Sequence, residues 1–323
     1  MAELRRYSIH GLLALETNLP GPEVPKAFET HGPVEPGKLV RALEAEPDID
    51  FRALRPLGLR LFVGDGVLVH RCLSYGRLVL VLRDLTGSGG PTEVIFNRPY
   101  RIFRELVRGE STWHFIKLVL MARLLLSAST TFAHASAVAK SGRAMLFTGW
   151  SDVGKTSTAV GLVRATEGEL SYMASDITLI GPNGAVLAWP TTPRTVLARP
   201  FERVPFLRKL VVRGRPMLPS WAGVELRAVI SHVFFLEPSR EEGARELNPE
   251  EAFRRLVLST DMAFNPFSNQ LLLAYSHAEP SFDLLALRER HLGLLRELIS
   301  KAECVELRAR GPEGFVRQAL ALI

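Results

Sequence analysis

Cysteine is scarce in this sequence, with two residues in 323. Cys72 and Cys304 cannot form a disulfide framework, and no Cys-x-x-Cys or His/Cys cluster indicates a zinc site. Glutamine and asparagine are also scarce, with two and six residues. Because these amides are thermolabile, their scarcity beside abundant Leu, Arg and Glu predicts a thermophilic source.

Long apolar runs are missing as well. The longest apolar stretch, residues 115–126, is interrupted by Lys117 and Arg123, so it predicts a buried helix rather than a membrane span. The apolar run near residue 1 is too short for a signal peptide. We therefore expect a cytoplasmic protein with no membrane partner.

Neither charge sign dominates the composition. Hydrophobic residues make up 47% and charged residues 23%, which is typical of a globular protein with an ample core. The net charge of +6 is compatible with binding ATP, an acidic substrate or nucleic acid, and with a homo-oligomer. No Lys/Arg tract is interleaved with aromatic residues, so nucleic acid is an unfavoured partner.

The hydrophobic pattern divides the chain into three parts. Short apolar runs and glycine turns predict a β-rich domain over residues 1–110, with a hairpin around residues 64–66. Residues 39–46 are expected to form one short helix. A linking helix within residues 111–130 leads to residues 131–323, where apolar strands and amphipathic helices follow one another.

The strongest motif is "GWSDVGKTS" at residues 149–157, which satisfies G-x-x-x-x-G-K-[ST]. An apolar strand leads into it and a helix leads out, so its backbone N–H groups are expected to surround phosphate oxygens. Lys155 is predicted to reach the β- and γ-phosphates of ATP, and the Thr156 hydroxyl is predicted to bind Mg²⁺. The predicted nucleotide-binding residues are Gly149, Trp150, Ser151, Asp152, Val153, Gly154, Lys155, Thr156 and Ser157.

A second metal ligand is expected 21 residues after Lys155, at Asp176. Residues 173–180 are predicted to form one strand with Asp176 inside it, paired with residues 185–189 in a hairpin. One loop–helix–strand unit can return this carboxylate to the edge of the phosphate loop, where it could bind Mg²⁺. The alternative is an aspartate that is solvated or caps a turn.

Four segments together carry a family resemblance: "HASAV" (134–138), "GWSDVGKTS" (149–157), "YMASDITLI" (172–180) and "GPNGAVLAWP" (181–190). In their motifs and close spacing they resemble the HPr kinase/phosphorylase-like family of phosphoenolpyruvate-carboxykinase-like P-loop kinases. The resemblance implies an α/β fold with a mixed-sheet kinase core. It also implies ATP with Mg²⁺ and phosphoryl transfer to a hydroxyl.

The chain departs from this family at several positions. Ser175 stands where the family carries the first of two adjacent aspartates, which acts at the acceptor hydroxyl. The Gly/Arg-rich C-terminal signature of true HPr kinases is missing, which argues against a carrier protein as substrate. His134 and Asp152 are candidates to take over the acceptor-side role, and Arg194 could neutralise charge there. A core histidine, a solvated turn residue and a surface arginine are the alternatives.

The sequence therefore predicts an ATP- and Mg²⁺-dependent kinase that phosphorylates a hydroxyl of a small molecule or peptide. Lys155 and Asp176 are its central catalytic residues. Two alternatives stay open. One is a nucleotide-binding regulatory protein that lost catalysis with the first aspartate, and the other is an ATPase associated with nucleic acid or a protein partner.

Overall fold

The computed structural model describes residues 3–21, 23–72, 78–107, 110–191, 194–198 and 212–323. Its contacts divide the chain into two compact units. The first contains residues 1–128 and 266–288 with the described part of 196–212, and the second contains residues 129–195, 213–265 and 289–323. The predicted division into residues 1–110, 111–130 and 131–323 stays a prediction.

The described residues form seven α-helices. They are α1 Arg98–Ile102, α2 Thr112–Ala128, α3 Lys155–Ala165, α4 Pro249–Ala263, α5 Gln270–Ala278, α6 Leu284–Ser300 and α7 Pro312–Leu320. The helix predicted within residues 111–130 is present as α2, and most of its side chains are buried. Its linking role stays a prediction. No helix among the described residues is both long and apolar enough to cross a membrane.

The first unit contains a sheet of eight described strands. They are β1 Arg5–Ile9, β2 Leu13–Thr17, β3 Leu39–Glu44, β4 Arg55–Pro56, β5 Leu61–Gly64, β6 Val67–Cys72, β7 Leu78–Arg83 and β8 Thr92–Phe96. Their order is β1-β2-β3-β8-β7-β6-β5-β4. The β2–β3 and β3–β8 pairs are parallel and the others antiparallel, so the sheet is mixed. The predicted hairpin around residues 64–66 is confirmed as β5 and β6.

The short helix expected over residues 39–46 is wrong, because this segment is the strand β3. It lies between β2 and β8 and pairs with both in parallel. Val40 and Ala42 are fully buried on one face of the strand. Burial between two neighbouring strands outweighs the weak helix preference of these residues.

The second unit contains a nine-stranded sheet, and a separate pair of strands, β15 and β16, forms a small sheet of its own. The strands are β9 Thr131–Ala133, β10 Ala135–Lys140, β11 Arg143–Thr148, β12 Ser171–Ala174, β13 Thr178–Ile180, β14 Ala185–Leu187, β15 Arg194–Ala198, β16 Val212–Pro216, β17 Arg227–Pro238, β18 Gly243–Glu246 and β19 Glu303–Ala309. The large sheet has the order β12-β10-β11-β17-β14-β13-β9, with β19 beside β17 and β18 beside β19.

The parallel strands of the second unit meet at one sheet edge. β17 is parallel to both β11 and β19, whereas the other described pairs of this sheet are antiparallel. The carboxyl ends of β11, β17 and β19 therefore lie at the same edge. The chain is a mixed α/β protein with two mixed sheets, as expected for the fold class.

The single strand expected over residues 173–180 is two strands, which corrects the placement of Asp176. β12 pairs with β10, whereas β13 pairs with β9 and β14. The chain thus changes its neighbours at residues 175–177, where the backbone leaves the extended ladder. Asp176 lies in this break and not inside a strand.

A buried carboxylate in the first sheet gives a pH-dependent prediction. Glu16 accepts hydrogen bonds from Arg6 Nε at 2.9 Å and Arg41 Nε at 3.0 Å. Burial alone would raise the pKa of Glu16, but these two guanidinium groups outweigh it and leave the pKa below its usual value. A lowered folded-state pKa stabilises the protein above the unfolded pKa, and this stabilisation is lost as pH falls through the folded-state pKa.

We therefore expect Glu16→Gln to lower the free energy of unfolding by about 2 kcal/mol at pH 7. The deficit should shrink as the pH is lowered toward 3, because the wild-type carboxylate then protonates. Urea titrations across this range measure the difference. The exposed Glu46→Gln is the control. A deficit that does not change with pH would contradict the charge-based explanation.

Candidate functional site

The loop of residues 149–154 joins β11 to α3 at the edge where the parallel strands end. Gly149 has a φ of 145°, and a Cβ added there would lie 2.9 Å from the Leu236 carbonyl oxygen of β17. Gly154 has a φ of 102°, and an added Cβ would lie 2.8 Å from Pro312 Cγ at the start of α7. Both motif glycines are thus required by backbone conformation and by close neighbours.

Lys155 is buried inside the curl of this loop. Its Nζ donates to the carbonyl oxygens of Gly149 at 3.1 Å and Trp150 at 2.8 Å. Burial lowers the pKa of Lys155 to about 8, and the charges of Asp176 and Asp152 oppose that shift. The carbonyl oxygens of the first two loop residues, Gly149 and Trp150, therefore hold the ammonium group.

Thr156 and Asp176 come together at the break between β12 and β13. The Thr156 hydroxyl donates to the Ser175 carbonyl oxygen at 2.8 Å, and the Ser136 hydroxyl donates to the same oxygen. Asp176 follows directly, with 56% of its side chain exposed. The sequence places these residues twenty positions apart, and the fold makes them neighbours.

This donor set fits a magnesium ion that shares its ligands with a phosphate. Mg²⁺ takes oxygen ligands, usually one or two carboxylates together with phosphate oxygens and water. Thr156 supplies a hydroxyl and Asp176 supplies a carboxylate. Within the described ranges no group of three or more His, Cys, Asp or Glu residues could hold a metal by itself. Thr156 and Asp176 would supply two oxygen ligands of a magnesium ion and leave the others to phosphate and water.

His134 is buried and contacts the exposed Asp176. This buried side chain lies with Nδ1 3.1 Å from the Ser259 carbonyl oxygen and Nε2 3.2 Å from Asp176 Oδ1. Both contacted oxygens are hydrogen-bond acceptors, so the ring N–H has an acceptor at either nitrogen. His134 thus contacts Asp176, and its acceptor-side role stays a prediction. Its backbone N–H donates to Thr260 Oγ1 at 3.2 Å, which fixes it further.

The remaining loop residues differ in exposure. Trp150 is 62% exposed and Ser151 and Asp152 are exposed, whereas Val153 is buried beneath α3. Asp152 has a φ of 61°, in the left-handed region where Asp and Asn are tolerated better than most residues. Its charge influences Lys155, so it lies near the expected phosphate position.

Two predicted features have different outcomes in the structure. Ser175, at the position of the family's first aspartate, has its hydroxyl 2.8 Å from Thr191 Oγ1. Arg194 begins β15, but its side chain lies outside the described part of the chain, as do residues 192–193. The acceptor-side role of Arg194 stays a prediction.

A cavity of about 520 Å³ opens beside the loop, and no motif in the sequence indicates it. It is lined by loop residues 149–153, by residues 235–238 at the end of β17, and by Arg255, Leu258 and Ser259 of α4. The polar start of α4 at Asn248 is visible in the sequence. The sequence does not show that this helix lies beside a loop that precedes it by about one hundred residues.

No protein-family model and no curated protein matches this sequence. Among solved structures, the chain is similar to the HPr(Ser) kinase/phosphatase from Coxiella burnetii, at 12% identity with a TM-score of 0.25. The similarity covers 36% of this chain and 77% of the other. This similarity is weak, and the functional proposal rests on the site geometry.

Proposed function

We propose that this protein is an ATP- and Mg²⁺-dependent phosphotransferase that phosphorylates a hydroxyl group. The observation that carries the proposal is the buried Lys155 ammonium inside a glycine-bounded loop, beside Thr156 and Asp176. A buried cation with hydroxyl and carboxylate oxygens near it suits a triphosphate with its metal. The resemblance of the four sequence segments supports a kinase core of the HPr kinase-like type. A cytoplasmic location stays the prediction made from the apolar pattern of the sequence.

Each residue has a distinct part in this proposal. The backbone N–H groups of the loop and the N-terminus of α3 would hold the phosphates, and Lys155 would reach the β- and γ-phosphates. Thr156 and Asp176 would hold Mg²⁺, which neutralises phosphate charge when bound. His134 would keep Asp176 in position through its Nε2–H.

Transfer of label from [γ-³²P]ATP tests this function. The protein is incubated with Mg²⁺ and a panel of alcohols, beside Lys155→Ala and Asp176→Asn. We expect label in an alcohol with the wild type and at least 100-fold less with either variant, because each removes one charge from the phosphate site. Tight ATP binding with no labelled alcohol and no released phosphate would overturn the phosphotransferase proposal.

One observation favours a second candidate, a nucleotide-binding regulatory protein. At position 175 the chain has a hydroxyl bonded to Thr191 in place of a carboxylate. A site without that carboxylate can bind Mg²⁺ and ATP and still transfer slowly. Under this alternative the labelled-ATP experiment gives binding that depends on Lys155 and no transfer.

The charge of Asp152 provides another prediction. Asp152→Asn keeps a residue that tolerates positive φ but removes a negative charge near the phosphate position. We expect the variant to bind Mg²⁺-ATP about fivefold more tightly, since one repulsive contact near the surface is worth about 1 kcal/mol. Fluorescence titration with a labelled ATP analogue measures this, with the exposed Asp65→Asn as control. Weaker binding by Asp152→Asn would show that the carboxylate assists the nucleotide.

A further inference from the structure

The cavity beside the loop lies at the end where phosphoryl transfer would occur. Lys155 Nζ contacts the carbonyl oxygens of Gly149 and Trp150, and a phosphate-loop lysine reaches the β- and γ-phosphates. In the proposed site the γ-phosphate would therefore lie near these two residues, and both line the cavity. A molecule in the cavity is thus on the acceptor side.

The lining of the cavity is mainly apolar. Trp150 and Leu258 are large exposed side chains, at 62% and 53%, and they face a common space with Phe235 and Pro238. Exposed apolar groups that converge on one concave surface are typical of a ligand pocket. A volume of about 520 Å³ is within the range of small-molecule sites.

The charges at this cavity do not suit an anionic acceptor. Arg255 donates to Glu306 at 2.6 Å and to Glu251 at 2.8 Å, so two carboxylates compensate its guanidinium. Glu237, another lining residue, is exposed and adds a negative charge. A phosphorylated or carboxylated acceptor would meet repulsion here, whereas a neutral molecule would not.

We propose that this cavity binds the aromatic or branched apolar part of a neutral alcohol, which is the phosphoryl acceptor. The inference rests on the proposed phosphotransferase function and narrows its acceptor class. In the reaction the alcohol oxygen bonds to the γ-phosphorus, and the bond from that phosphorus to the β–γ bridging oxygen breaks. ADP leaves with the electron pair, and the hydroxyl proton passes to water.

Binding of model alcohols tests the inference without requiring turnover. Saturation-transfer NMR is recorded with 2-phenylethanol and with glycerol, on the wild type, Leu258→Glu and Leu285→Glu. Leu285 is an exposed leucine of α6, 76% accessible, and serves as the matched control. We expect 2-phenylethanol to bind the wild type and Leu285→Glu, and to bind Leu258→Glu at least tenfold more weakly. Glycerol should give no comparable signal.

Calorimetric titration of Mg²⁺-ATP into the same three proteins separates the two proposals. Leu258 is not a predicted nucleotide ligand, so Leu258→Glu should still bind Mg²⁺-ATP, at most about fivefold more weakly, since its carboxylate adds one negative charge beside the loop. The acceptor inference is overturned if 2-phenylethanol does not bind, if glycerol binds as well, or if binding survives in Leu258→Glu. If Mg²⁺-ATP still binds in these cases, only the acceptor inference is overturned and the proposed function is unaffected. If the wild type does not bind Mg²⁺-ATP, the proposed function itself is overturned.

Discussion

Lys155→Met is expected to weaken Mg²⁺-ATP binding by about 100-fold, or roughly 2.8 kcal/mol. The Lys155 ammonium is buried between the Gly149 and Trp150 carbonyls, so a phosphate that meets it there is shielded from water. A charge-assisted contact in such surroundings is stronger than one in solvent. Methionine fills a similar volume but carries no charge, so the loss reports the electrostatic contact. Calorimetry measures the dissociation constant.

Removal of this buried charge should leave the fold intact, because the Gly149 and Trp150 carbonyls that lose their donor lie in a loop that water can reach. Lys155 loses hydration when it is buried, and its lowered pKa reflects that cost, so an apolar side chain suits the position structurally. Thermal unfolding by circular dichroism checks this. Lys140→Met provides the control, because Lys140 is an exposed lysine of the same unit paired with Glu169. Equal nucleotide affinity in wild type and Lys155→Met would refute the assignment of this loop.

Arg123→Met is expected to lower the free energy of unfolding by about 4 kcal/mol. Arg123 lies on α2 with 1% of its surface exposed. Its guanidinium donates to Leu85 O at 3.0 Å, to Thr86 O, and to Gly37 O at 2.6 Å. Methionine keeps the helix preference but leaves these carbonyl oxygens without their donor.

Urea unfolding at pH 7 measures the effect, and hydrogen exchange of the α2 amides locates it. We expect the α2 amides to lose protection in Arg123→Met. Arg60→Met, at an exposed position, should change the unfolding free energy by less than about 0.5 kcal/mol. If both variants were equally stable, the buried arginine would have no structural role.

The elements that the sequence predicts well are those defined by local patterns. The hairpin of β5 and β6 follows from alternating apolar residues around a glycine turn, and α4 follows from the Asn248 cap. The failures concern pairing partners. Residues 39–46 have a weak helix preference that burial overrides, and the apolar run over residues 173–180 does not show that the chain changes neighbours.

The residues of the candidate site likewise fall into those that local sequence places and those that only the fold places. Lys155 and Thr156 are adjacent in the motif, so local sequence is enough to place them together. The contact of His134 with Ser259 joins residues 125 positions apart, and only the fold provides it. The cavity likewise depends on Leu258, whose position beside the loop arises from packing of α4. Sequence therefore identifies the phosphate site better than the acceptor site.

The most direct test of the central claim is a calorimetric titration of the wild type with a non-hydrolysable ATP analogue, in Mg²⁺ and then in EDTA. A loop that holds a triphosphate with its metal predicts micromolar binding in Mg²⁺ and at least tenfold weaker binding in EDTA. Asp176→Asn should show the weaker affinity under both conditions. No binding at millimolar analogue, or binding that is indifferent to Mg²⁺ and to Asp176, would contradict the account.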